Sequence, residues 1–159
     1  MPRNIYDEDH ESFRASVREF VERTLVPRAD SMIAEHTIPR EVWLEAGKQG
    51  FFGLTIPEEF GGAGIDDYRF NAVLAEELAK FNVAVSSCFG IHADITAPYI
   101  VALGTEEQKQ RWLPQVATGE KILSIGMTEP NGGSDLAALK STAVKADDGW
   151  RIRTSSASR

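Results

Sequence analysis

The stretch Ile122-Leu123-Ser124-Ile125-Gly126-Met127-Thr128-Glu129-Pro130-Asn131-Gly132-Gly133-Ser134-Asp135-Leu136-Ala137-Ala138 is where the chain changes character. Ahead of it the apolar residues recur with helical spacing, and after it they alternate. Ile122, Leu123, Ile125 and Met127 predict one short buried strand, and Pro130-Asn131-Gly132-Gly133 predicts an abrupt turn at its end. Thr128 and Glu129 stand before the turn, Ser134 and Asp135 just after it. Hydroxyls and carboxylates therefore gather where backbone N–H groups lose their ladder partners. Two readings stay open on these residues alone. One is a tight connection in which Ser134 or Asp135 caps a following helix; the other is the edge of an anion or cofactor site. Neither Gly-x-Gly-x-x-Gly nor a Gly-Lys-Ser/Thr ending is present, so the two common phosphate loops are excluded.

Upstream, Phe13, Val17, Phe20, Val21 and Leu25 draw one stripe along a helix from Asp7 to about Ala34, with Asp7 or Asp9 as cap and Pro27 as an interruption. Arg18, Glu19, Glu22 and Arg23 read as its solvated face. Pro39 opens a short helix stopped by Gly50. Phe51, Phe52, Leu54 and Ile56 are expected to be buried beside a glycine-rich loop, Pro57-Glu58-Glu59-Phe60-Gly61-Gly62-Ala63-Gly64. A third helix is expected over Asp67–Lys80, with Glu76 and Glu77 solvated. Val83–Leu103 is apolar nearly all round, which predicts a helix in the middle of a bundle, with Cys88 buried and His92 and Asp94 facing a cleft. Thr105 and Gln108 form a capping box for a last helix closed by Gly119. Beyond it, strands are expected at Thr142–Ala146 and Trp150–Ile152 around an Asp147-Asp148-Gly149 turn.

The fold expected is mainly α: an orthogonal or up-down bundle of five helices over 1–120, followed over 121–159 by the first strands of a truncated β-barrel-like domain. The 159 residues carry seven net negative charges, which argues against a nucleic-acid or anionic-membrane surface. One cysteine excludes an internal disulfide, and three scattered histidines offer no metal constellation. No apolar run is long enough for a membrane span, and the acidic N-terminus is unlike a signal peptide, so a cytoplasmic setting is expected.

Gly126-Met127-Thr128-Glu129-Pro130-Asn131-Gly132-Gly133-Ser134-Asp135-Leu136-Ala137-Ala138 resembles the flavin-loop signature of the acyl-CoA dehydrogenase family. Pro57-Glu58-Glu59-Phe60-Gly61-Gly62 and Gly104-Thr105-Glu106-Glu107-Gln108 resemble segments found in the same order there. The resemblance runs from about residue 7 to 152. It implies a flavoprotein that binds FAD and oxidises an acyl-CoA thioester to the trans-2-enoyl-CoA, passing electrons to an electron-transferring flavoprotein and working as a homo-oligomer. On the family pattern, Thr128 and the backbone around Ile125 and Met127 hold the pyrimidine edge of the flavin. Gly133 allows close approach, and Ser134 reaches the pyrophosphate and the substrate's CoA side, while Glu129 and Asp135 brace the loop. The glutamate base belongs to the family's C-terminal domain, so no catalytic residue is expected in this chain, and the chain alone is expected to be inactive. The tail from Arg153 to Arg159 departs from the family's Asn-Gly-x-Lys pattern, as a truncation or shifted frame would, and stand-alone FAD binding is doubtful on that ground. Gly90-Ile91-His92-Ala93-Asp94-Ile95 is most similar to the long-chain branch. Two alternatives share these residues: an acyl-CoA oxidase, and a helical interaction module that keeps the fold without the chemistry.

Overall fold

The computed structural model describes residues 5–130 and 132–153. They form two compact units, the first ending at Ser124 and the second beginning at Ile125.

The first unit contains five helical rods. α1 (Glu8–Phe20) starts where the Asp7 carboxylate accepts from Asp9 N and His10 N at 3.2 and 3.3 Å. It runs through a π turn (Val21–Leu25) and a 3-10 turn (Val26–Arg28) into α2 (Ala29–Glu35), making one irregular rod over 8–35. α3 (Arg40–Lys48) follows Pro39, and α4 (Arg69–Phe81) is the third rod. α5 (Val83–Gly90), a π segment (Ile91–Thr96) and α6 (Ala97–Leu103) make the fourth, over 83–103. α7 (Glu106–Ala117) carries the expected Thr105/Gln108 capping box. Both π turns have one cause: Pro27 and Pro98 lack an N–H and press on the carbonyl four residues back, at Arg23 and Asp94, so the ladder widens just upstream.

Aromatic rings fill the centre. Phe20 meets Phe51 edge-on at 5.2 Å, and Phe89 packs against Phe52 and Trp43 at 4.8 and 5.0 Å. A second cluster joins Ile56 and Phe60 to Ala97, Leu113 and Val116. The backbone of α3 lies flush against the end of α7. A Cβ on Gly47 would fall 2.0 Å from Thr118 O, and one on Gly119, whose φ is +72°, would fall 2.3 Å from Trp43 O. Arg40 locks this corner by donating to the carbonyls of Gly119 and Glu120.

Four expectations change here. Glu77 is not solvated: its side chain is 3% exposed and accepts from Arg14 at 2.7 Å, Arg18 at 2.9 Å and Lys80 at 2.6 Å. Burial pushes its carboxyl up, but the hydrogen bonds from these three cations outweigh that and draw it down to about 2. Arg18, read from sequence as part of a solvated face, is thus half of a cross-helix pair. The 83–103 rod is not buried all round either, since Val83, Ile95, Tyr99 and Leu103 are exposed, and so is Cys88.

In the second unit, β1 (Thr142–Ala146) and β2 (Gly149–Arg153) form an antiparallel hairpin with Val144 opposite Arg151 and Lys145 opposite Trp150. The expected strand over Ile122–Met127 does not form. That stretch carries no regular element: among the described residues it has no ladder partner, and a strand without a neighbour is not a sheet. The tail from Thr154 to Arg159 and Asn131 lie outside the described residues.

Candidate functional site

From Ile125 to Glu129 burial alternates strictly. Ile125, Met127 and Glu129 turn inward, while Gly126 and Thr128 face out. This is the period of an extended chain with one covered side. The outward side carries the Thr128 hydroxyl. Among the described residues no hydrogen bond is made by the backbone of Ile125, Met127 or Thr128, which leaves their donors and acceptors available to a ligand.

The turn then closes on itself. Glu129 and Gly132 exchange backbone hydrogen bonds of 2.9 and 3.1 Å across Pro130 and Asn131. The Glu129 carboxylate, 8% exposed, accepts from Lys140 N at 2.7 Å, Ser141 N at 2.9 Å and the Ser141 hydroxyl. The Ser141 hydroxyl is the largest contribution holding this carboxyl below its ordinary range, with the Lys140 amide next. Glu129 is therefore committed to closing the loop and faces no reacting group. Asp135 caps the short 3-10 turn Leu136–Ala138 by accepting from Ala137 N at 3.2 Å. Both acids act as braces, as read from the sequence.

Between these braces Gly133 and Ser134 are exposed. A Cβ on Gly133 would meet nothing within 4 Å, so a flat or bulky group has open access to its backbone. Ile125, Met127, Thr128, Gly133 and Ser134 thus lie on one short segment of chain with no titrating group among them, and among the described residues the Thr128 and Ser134 hydroxyls make no hydrogen bond. Such a segment can hold a polar ring edge or a phosphate by hydrogen bonds, but it cannot move protons. The donor set fits a flavin nucleotide.

In the first unit His92 and Asp94 do not share a cleft. His92 is fully buried between Phe52, Trp43 and the end of α7. Asp94 is half-buried and accepts from Asn71, with burial raising its carboxyl against the hydrogen bonds of Asn71 and Tyr68. Its hydrogen-bond donor Asn71 was invisible in sequence, being 23 residues away. Among the described residues no group of three or more metal-ligating side chains is found, and no helix is long and apolar enough to cross a membrane.

The sequence profile of the acyl-CoA dehydrogenase N-terminal domain matches residues 7–120. The chain belongs to the acyl-CoA dehydrogenase family. It is 39% identical over 153 residues to the mitochondrial long-chain specific acyl-CoA dehydrogenase of Mus musculus, a match that covers 96% of this chain and 35% of that protein. The solved acyl-CoA dehydrogenase of Geobacillus kaustophilus superposes with a TM-score of 0.87 at 40% identity, over 96% of this chain and 40% of the other. An acyl-CoA dehydrogenase of Bacillus anthracis solved in complex with FAD superposes with a TM-score of 0.85 at 29% identity, covering 97% of this chain and 27% of that one. The chain thus spans about a third of the length of the mouse relative, and the five-rod fold is that of the family's N-terminal domain.

Proposed function

We propose that this chain carries the flavin-loop portion of an FAD-dependent acyl-CoA dehydrogenase that oxidises an acyl-CoA thioester to the trans-2-enoyl-CoA. The observation that supports it best is the segment Ile125–Thr128: extended, unpaired in its backbone, and presenting a hydroxyl outward. When bound, the flavin supplies the acceptor for the hydride leaving the substrate. The protein's part is to hold and orient. The Thr128 hydroxyl and the backbone of Ile125 and Met127 take the pyrimidine edge, Gly133 keeps the approach clear, and Ser134 takes the pyrophosphate and the CoA side. Glu129 and Asp135 keep these groups in place and transfer nothing.

The proton-abstracting base is not assigned among these residues, so the proposed share of this chain in the reaction is binding. An electron-transferring flavoprotein as acceptor, assembly into homo-oligomers and a cytoplasmic setting complete the reading, with long-chain substrates favoured by the likeness to the mouse enzyme. Titration of the purified chain with FAD, followed by flavin fluorescence, tests it. Thr128→Ala and Ser134→Ala should each weaken binding by roughly tenfold, the loss of one hydrogen bond to a bound group. Affinities untouched by both substitutions would remove the assignment, as would absence of flavin binding both by this chain and by a version extended through the family's middle and C-terminal domains.

A further inference from the structure

His92 is the residue the binding reading leaves unused, and its surroundings are specific. The imidazole lies edge-on to Phe52 with centroids 4.5 Å apart and to Trp43 at 5.6 Å. Nε2 is 3.2 Å from Val116 O, in the last turn of α7, and Nδ1 is 3.0 Å from Leu123 N. A carbonyl only accepts and an amide N–H only donates, so both contacts are met by one neutral tautomer, protonated on Nε2 with a lone pair on Nδ1. The elements packed on the ring bring Trp43, Phe52, the Val116 carbonyl and the Leu123 amide to it, none of them a titrating group; Asp94 is the carboxyl on its own segment.

What the Leu123 bond does follows from where it falls. After α7 the chain is held by Lys121 N donating to Gln115 O at 2.8 Å, and then by Leu123 N donating to His92. Among the described residues no further backbone hydrogen bond is made until Glu129. The imidazole is thus the last fixed point before the unpaired segment that bears Ile125, Met127 and Thr128. We propose that His92 is a positioning residue, whose Nδ1 pins Leu123 and thereby sets the path on which the chain enters the ligand-holding loop. Its value for cofactor binding rests on the flavin reading above; the tether does not.

Two substitutions separate the two ring nitrogens. His92→Asn puts an amide oxygen where Nδ1 stands and keeps the Leu123 bond while losing Val116. His92→Gln puts its amide where Nε2 stands and does the reverse. Both lose one buried hydrogen bond, so a purely structural residue would show the same melting temperature loss and the same loop in each. The expected result is asymmetric. In the full chain, His92→Gln speeds hydrogen exchange at the Leu123 amide by roughly tenfold and shifts the NMR amide signals of Ile125, Met127 and Thr128, and His92→Asn restores both. FAD affinity falls with His92→Gln and recovers with His92→Asn. Identical exchange and identical loop signals in the two variants would overturn the proposal. If the unsubstituted chain binds no FAD, exchange and amide signals still decide the role of His92.

Discussion

Replacing Glu77 by Gln keeps the shape of the side chain and removes the one charge on which Arg14, Arg18 and Lys80 converge. A carboxyl drawn from 4.5 to about 2 gains, at ~1.4 kcal/mol for each factor of ten, about 3 kcal/mol from ionising in the folded state. Arg18 and Lys80 are 56% and 60% exposed, so solvent screening brings the expected loss to about 2 kcal/mol. Arg14 keeps Glu11 and Glu76 as partners, which prevents the larger penalty of an isolated buried cation. The sign with pH follows from the depressed carboxyl: its stabilisation is complete above the unfolded value of 4.5 and drains away as the pH falls toward 2. Urea unfolding of the chain and of Glu77→Gln, followed by far-UV circular dichroism, should show a gap of about 2 kcal/mol at pH 7 that narrows below pH 4.5. Glu19→Gln, which breaks an exposed pair with Arg23, should have no measurable effect. A gap at pH 7 indistinguishable from that of Glu19→Gln, or one that does not change with acid, would refute this account of how α1 is fastened to α4.

Gly119→Ala should cost at least about 2 kcal/mol in the same assay, because it combines a left-handed backbone with a Cβ driven into Trp43 O. Glu129→Ala should open the Pro130–Ser141 loop, read as faster protease cleavage there and faster exchange at the Lys140 and Ser141 amides, with the melting of the helical unit unchanged. His92, lowered by burial from its ordinary 6.5 despite the opposing Val116 carbonyl, stabilises the fold fully above pH 6.5 and progressively less as the pH falls below it. His92→Asn should therefore flatten the decline in stability between pH 7 and pH 5, measured by thermal melts.

The helices were legible because their signals are local. Asp7 and Thr105 cap as their side chains predict, Pro39 and Gly50 bracket α3, and the Phe51–Ile56 run is buried. The signature loop was legible for the same reason, its braces Glu129 and Asp135 closing contacts no more than 12 residues away. What was misread depends on partners far along the chain. Glu77 is buried by Arg14 and Arg18, 63 and 59 residues away. Ile122–Met127 has the alternation of a strand, but a strand is a relation between two segments and the second is not among the described residues. Cys88 and Leu103 looked like core because an all-apolar helix does not reveal which of its faces is covered.

The two π turns carry a lesson for anyone cutting or splicing this protein. Each is a place where a rod holds one residue more than its smooth length allows, and the widened turn absorbs that surplus so that what lies beyond stays in phase. A residue lost from the regular turns of Val83–Gly90 has no such surplus to draw on, and would turn Ala97–Leu103 by roughly 100° about the rod axis. Ala97, now fully enclosed, would be carried out toward water, while bulky Tyr99 and Leu103 swung round. Spacing there is the constrained quantity, and a deletion is expected to do more harm than most exchanges of one side chain for another.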